Sequence, residues 1–299
     1  MSELALSNWL PVDIDTLIQT AKDAVPESIT VNGVLVGAGL LFLLLNVKGL
    51  PGAWHARLFK GLFTHVVVGR SKTLSPMLDA STGHPRLFSY LITFCSTPLL
   101  DCDYNLHKSN STFFSDVDIN RTQLMCSLFK HVISKSWLIS KRNKPLLMAL
   151  GGTSCIFKRE IKPLQKFEIW SRVLAWDEKW VYVVSYFVRA GTKKKSKKSV
   201  SENGKAAEQP DDNGVLASCI ARYVFKDGRI TVKPKLALQD CGLIPEESDE
   251  NNSGPWSKAD FEKERVEAIK VAKKFTELEV LPQVFDAADA TIMGSYKDL

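Results

Sequence analysis

Seventeen consecutive residues without a charge, VNGVLVGAGLLFLLLNV from Val31 to Val47, interrupt this chain near its start. A hydrocarbon core of about 30 Å needs nearly this length of helix, and so apolar a segment must be shielded by lipid or by protein. The run predicts one membrane helix over residues 31–47, and a buried core helix is the competing fold for it. A signal peptide fits less well, because the segment begins some thirty residues in and lacks a basic stretch before it. Gly33, Gly37 and Gly39 do not form a nucleotide loop, which needs a strand before and a helix after. Gly33 and Gly37 sit four apart, the weak spacing of helix pairing.

Charge on either side of the run sets a direction. Before it, Lys22 stands alone among Asp13, Asp15, Asp23 and Glu27; after it come Lys48, Arg57, Lys60, Arg70 and Lys72. Basic flanks stay on the cytosolic side, so the first thirty residues are expected across the membrane from a cytosolic C-terminal part. The short span favours the thinner bilayer of the endoplasmic reticulum. The 6 cysteines form no C-x-x-C pair and no Cys/His cluster of zinc spacing, which agrees with a reducing compartment and implies no metal. Glycosylation-type triplets begin at Asn110 and Asn120, inside a predicted helix that a glycan would disrupt. Much of the net charge of +6 comes from the run Lys193–Lys198, a solvated loop rather than a broad basic face, so nucleic acid is not an expected partner. Residues 48–84 form a juxtamembrane linker. In it Trp54, Leu58, Leu62 and Val66 recur every four residues beside Arg57, Lys60 and His65, which suits a helix in the head-group layer or an amphipathic core helix.

With 45% hydrophobic residues, the rest of the chain can build a real core. Between Pro85 and Ile244 one helix is followed by several strands. The helix is expected from about Ser111 to Ile133, on the spacing of Phe114, Val117, Arg121, Leu124, Leu128 and Val132. Runs rich in Val, Ile, Tyr, Phe and Trp predict strands near Phe88–Ser96, Leu147–Phe157, Phe167–Trp176, Trp180–Arg189 and Leu216–Phe225, with a hairpin turn at Trp176-Asp177-Glu178-Lys179. This is an α+β architecture. Residues 191–214, rich in Lys, Ser, Asn, Gly and Glu, are too polar to pack and read as a disordered basic insertion. Residues 245–299 form a helical extension, in which Ser257 opens a helix with the stripe Phe261, Ala268, Ala272 and Phe275.

The densest polar cluster is Asp101-Cys102-Asp103-Tyr104-Asn105-Leu106-His107-Lys108-Ser109-Asn110, running from a strand into the long helix. A helix N-terminus carries unpaired N–H groups and about half a positive charge, so it can polarise a carbonyl oxygen while a nearby carboxylate acts as base or nucleophile. The same residues also make a capped loop in which Asp101 or Asp103 binds backbone amides and His107 packs.

At these residues the chain resembles the hotdog-fold acyl-thioester hydrolases, most closely the thioesterase superfamily member 6 group and its fungal relatives. The family signature D-x-D-x-x-x-H-x-N-N-x-x-Y stands here as Asp101, Asp103, His107, Ser109, Asn110 and Phe113, followed by Asp118 and Arg121. The likeness continues through Pro163 to Glu168, Trp176-Asp177 and Tyr182 to Phe187, and spans roughly Leu87 to Leu243. It implies a hotdog fold over residues 85–244: a curved antiparallel sheet around one long helix, with active sites at a homodimer interface. It also makes Asp103 the catalytic carboxylate. Ser109 departs from the first Asn of the signature, Phe113 from its Tyr, and Leu106 stands where many bacterial relatives have Gly.

The function expected is a membrane-anchored hydrolase of long-chain acyl-CoA, or of an acyl or polyketide chain on a carrier protein, as in fungal secondary metabolism. In it Asp103 activates water or attacks, N–H groups near Asn110 and Ser111 hold the thioester oxygen, and His107 orients the loop or the thioester. Asp101, Ser109, Ser111 and Phe113 line the substrate side, and no bound cofactor is implied. Asp118 and Arg121, three apart on the helix, read as a structural pair. The alternative is a non-catalytic acyl-chain-binding or scaffold protein with a degenerate site, to which the Ser109 and Phe113 departures point. A serine triad is excluded: Gly151-Gly152-Thr153-Ser154-Cys155 lacks the G-x-S-x-G spacing.

Overall fold

The computed structural model describes residues 31–68, 77–134, 146–192, 214–245 and 255–284, together with Thr16 and Gln19. The expectations for residues 1–30 and for the basic insertion between Thr192 and Gly214 fall outside these residues. The uncharged run is helical: α1 spans Val31–Asn46 and runs on through a 3-10 turn, Val47–Gly49. This stretch has a mean hydropathy of 1.8 and only 6% of it is buried, so the protein itself does not shield it as it would a core helix. Its single buried side chain, Asn46, points the other way: Oδ1 accepts from the Leu100 amide at 2.8 Å. Gly52, in the left-handed region at φ 81°, turns the chain into α2, Ala53–Leu62.

Five strands form where β-branched and aromatic residues concentrate: β1 Leu91–Ser96, β2 Leu147–Phe157, β3 Lys166–Trp176, β4 Val181–Arg189 and β5 Val215–Asp227, with a short β6 Ile230–Val232 pairing β5. They make one antiparallel sheet in the order β1-β3-β4-β5-β2. Register shifts between Leu150 and Gly152, Val173 and Ala175, and Phe187 and Val188 are the kind of bulge that bends a sheet. At the first of them a Cβ on Gly151 would lie 2.2 Å from the Trp180 ring, so only glycine lets that ring close down on β2.

Between β1 and β2 comes the long helix α3, Asn110–Ser134, packed on one face of the sheet. Its Phe113 and Val117 meet Phe167, Ile169, Phe187 and Leu216, while Leu124, Met125 and Phe129 meet Val173, Val181, Val183 and Phe225. The buried face is phased on Phe113, which is wholly enclosed, and not on Phe114, which the spacing had put inward. A short helix, α4 Pro234–Asp240, adds Ala237 and Leu238 to this core. The opposite face is covered by α5, Lys258–Thr276, whose Ala268, Ile269 and Ala272 lie on Leu174, Tyr182 and Val184. With both faces covered, β4 reads VYVVSYFVR without alternation. The hairpin turn forms as expected, since Asp177 Oδ1 accepts the amides of Lys179 and Trp180 at 2.8 and 2.7 Å.

Candidate active site

After β1 the chain makes a 3-10 turn, Leu99–Asp101, and a tight loop before α3. Backbone bonds fix the loop. The Asp103 amide donates to the His107 carbonyl at 2.9 Å, the Leu106 amide to the Asp103 carbonyl at 3.0 Å, and the Lys108 amide to the Ile161 carbonyl at 2.8 Å. Asp103 Oδ1 accepts the Asn105 amide at 2.9 Å, an Asx-type turn that aims the carboxylate. Closing so tight a loop holds Leu106 at φ 57°, in the left-handed region, at a cost of roughly 1–2 kcal/mol for a residue with a side chain. A glycine at this position would lift that cost.

The loop forms one wall of an open cleft of ≈ 330 Å³, in which Asp103, His107, Asn110 and Phe113 meet Phe157 and the segment Lys158–Glu160 after β2. Asp103 and His107 are half-buried, and Asn110 is exposed at the first turn of α3. Here a carboxylate, an imidazole, an amide and a helix N-terminus face one hollow. Phe113 is its apolar floor, stacked edge-on against Phe157 at 5.0 Å and tilted against Phe187 at 4.7 Å.

The remaining residues singled out from the sequence are placed elsewhere. The Ser109 and Ser111 hydroxyls lie 3.0 Å apart, on each other and not on the cleft lining. Asp101 does not share a face with Asp103 as an extended loop would require, because the 3-10 turn rotates it inward. Its Oδ2 lies 3.4 Å from Lys108 Nζ and 3.7 Å from Lys48 Nζ. Asp118 and Arg121 do form an ion pair; the enclosed guanidinium also donates to Thr153 Oγ1 at 2.9 Å, which ties α3 to β2.

What the sequence did not disclose is a buried ion cluster beneath the loop. Asp116, with a side chain 1% exposed, accepts from Lys48 at 2.6 Å, Lys108 at 2.9 Å and Arg57 at 3.2 Å. Burial alone would raise the pKa of Asp116; the ammonium groups of Lys108 and Lys48 outweigh it and hold the carboxyl below its ordinary value. Lys108 is fully enclosed, and Lys48 also donates to the Ser96 carbonyl at 2.9 Å. Lys48 and Arg57, read from the sequence as flanking and head-group cations, thus bolt the end of α1 and α2 to α3, and Lys48 also approaches Asp101 of the loop. The available signal was Asp116 itself, a carboxylate one turn from Phe113 on the buried face of the helix. Asn120 is likewise enclosed, donating to the Ile169 carbonyl and to Thr93 Oγ1, both at 3.1 Å.

Residues 97–236 match the family model described as the thioesterase-like superfamily. The chain is 51% identical to the probable thioesterase atnL of Emericella nidulans over 97% of its own length and 99% of that protein's. It is 40% identical to thioesterase poxG of Penicillium oxalicum, over 83% of this chain and 86% of the relative. With a probable thioesterase of Saccharomyces cerevisiae the identity is 34%, over 69% and 79%.

Proposed function

The chain belongs to the thioesterase-like superfamily, with its hotdog fold, and from that membership and the cleft at the start of α3 we propose that it hydrolyses acyl thioesters at a membrane surface. The observation that carries the reading is the convergence of Asp103, His107 and Asn110 on one hollow at a helix N-terminus. Asp103 takes a proton from water as the hydroxide adds to the thioester carbon, and the tetrahedral intermediate expels the thiolate, which receives that proton back from Asp103. The Asn110 and Ser111 amides at the first turn of α3 have no partner within the helix and, with the Asn110 side chain, hold the developing oxyanion. His107 orients the thioester, and Lys158 and Arg159 on the opposite wall present cations to the phosphates of a CoA or pantetheine arm. The substrate class is a long-chain acyl-CoA or a carrier-bound acyl or polyketide chain.

Two further features complete the proposal. The α1 helix anchors the domain in the bilayer with the cleft on the cytosolic side, which the basic flank Lys48, Arg57 and Lys60 supports. A homodimer forms along β2, an edge strand paired among the described residues only to β5 and exposing Ile156 and Phe157 beside the cleft, so that a second copy covers the open side.

Asp103→Asn and Asp101→Asn test the reading together. With acyl-CoA substrates of graded length, Asp103→Asn should lower kcat by roughly a hundredfold or more, the scale of a lost general base, with little change in melting temperature. Asp101→Asn should lower the melting temperature instead, since it removes a partner of enclosed Lys108. Retained turnover in Asp103→Asn would place the chemistry elsewhere, and a wild-type protein that binds acyl-CoA or carrier thioesters without turnover would be the non-catalytic binder.

A further inference from the structure

A second hollow, of ≈ 790 Å³, lies away from the cleft, at the foot of α1 and along the β1 edge of the sheet. Its size is within the roughly 300–1,000 Å³ of ligand pockets. Leu44 and Leu45 of α1 form one wall, Ala56 of α2 another, and Phe94 and Phe167 the sheet side. Phe94 is 80% exposed and shares the hollow with exposed Leu44 and Leu45 of α1, a contiguous apolar patch of the kind that marks a lipid or ligand contact. The polar rim is basic: among the described residues, Lys48, Arg57 and Lys166 line it and no carboxylate does. Within the ion cluster beneath, Lys48, Arg57 and Lys108 share Asp101 and Asp116, an excess of one positive charge among the described residues. Lys166 adds another at the rim.

We propose that this hollow binds a single long-chain fatty acid taken from the bilayer, its chain among Leu44, Leu45, Phe94 and Phe167 and its carboxylate at Lys48 and Lys166. The proposal rests on α1 being a membrane helix, which sets the mouth of the hollow at the level where α1 leaves the bilayer. One chain and one small anion fit the lining, which is apolar on its walls and cationic only at its rim. The site also touches the catalytic loop. Phe167 stands between the two hollows, with Lys48 Nζ 5.5 Å and Lys108 Nζ 5.7 Å from its ring, and Lys108 also lines the cleft. A bound carboxylate would therefore draw on the same Lys48–Asp116–Lys108 network that holds the loop.

The test uses the full chain in phosphatidylcholine nanodiscs containing a few mole per cent of a diazirine-bearing palmitate, irradiated and mapped by peptide mass spectrometry. Co-elution with the disc reports insertion of α1, and acyl-CoA hydrolysis by the same sample reports the enzyme reading separately. Label is expected on Leu44–Val47 and Phe94–Cys95 in preference to the lipid-facing stretch Leu35–Leu41. It should fall about tenfold in Ala56→Trp, which fills the hollow from an exposed helix position, and about threefold in Lys166→Glu, with the melting temperature of both variants within a few degrees of wild type. Label spread evenly along α1, insensitivity to Ala56→Trp, or equal labelling by a diazirine phosphatidylcholine would each overturn the fatty-acid site. An inserted, active protein without label in the hollow refutes this site alone, and an inserted, labelled, inactive one refutes only the hydrolase.

Discussion

At the scale of single residues, Asp116 decides more than any group in the cleft. It is enclosed with Lys108, and its removal would leave the buried ammonium with Asp101, at 3.4 Å, as its remaining carboxylate beside the Thr112 hydroxyl at 3.0 Å. Breaking a buried pair on one side costs about 3–5 kcal/mol, so Asp116→Asn should lower stability by that order at neutral pH. The sign of the pH dependence follows from the direction of its shift. The folded pKa is depressed below the unfolded value near 3.9, so the contribution of Asp116 is complete above about pH 4 and is lost as the pH falls through the folded pKa. Melting curves of wild type and Asp116→Asn in detergent should therefore lie far apart at pH 7 and converge below pH 4; a gap independent of pH would show that the ion pairs contribute nothing. Asp103, His107 and Asn110 were legible in the sequence because they are neighbours in it. The cluster was not, because Lys48 and Asp116 stand 68 residues apart and meet only through the fold.

Among elements, those with a local signal were readable and those defined by contact were not. The strands were expected within a few residues, since β-branched and aromatic runs bounded by turns allow little else, and the long helix came within one residue at each end. The α4 helix passed unnoticed: seven residues beginning at Pro234 are too short for a period, and the helix exists because Ala237 and Leu238 find the core. For α2, a repeat of four could not choose between lipid and protein; Gly61 shows the protein contact, lying so close to Gln123 of α3 that a Cβ there would be 3.0 Å from its Cγ. The α5 helix has a start signal strong enough to test. Ser257 and Asp260 form a reciprocal capping box, the Ser257 side chain accepting the Asp260 amide and the Asp260 side chain accepting the Ser257 amide at 2.8 Å. Ser257→Ala should cost about 0.5–2 kcal/mol. Because α5 covers the sheet face away from the cleft, the loss should appear as a lower melting temperature and faster amide exchange in the first turn of α5, with kcat unchanged. A fall in kcat would mean that this face communicates with the site.

For the whole molecule, the two edges of the sheet, unpaired among the described residues, face different surroundings. The β1 edge abuts the foot of α1, and the β2 edge stands beside the cleft, so the proposed anchor and the proposed second copy would take opposite sides. The α1 helix is also not loosely tethered: Asn46 holds the Leu100 amide, Lys48 reaches Ser96 and Asp116, and Arg57 of α2 reaches Asp116, all beneath the loop that leads into α3. Orientation of α1 therefore carries the cleft with it, and topology becomes a property of the enzyme as a unit. With the basic flank on the cytosolic side, protease added to sealed microsomes should digest residues 60–299 and spare only what lies before and within α1. The opposite topology would expose the Asn110 and Asn120 triplets to glycosylation. In the folded domain that is open only to Asn110 at the exposed start of α3, since Asn120 is enclosed and bonded to Ile169. A protected domain bearing a glycan at Asn110 would reverse the orientation and, with it, the supply of substrate from the cytosol.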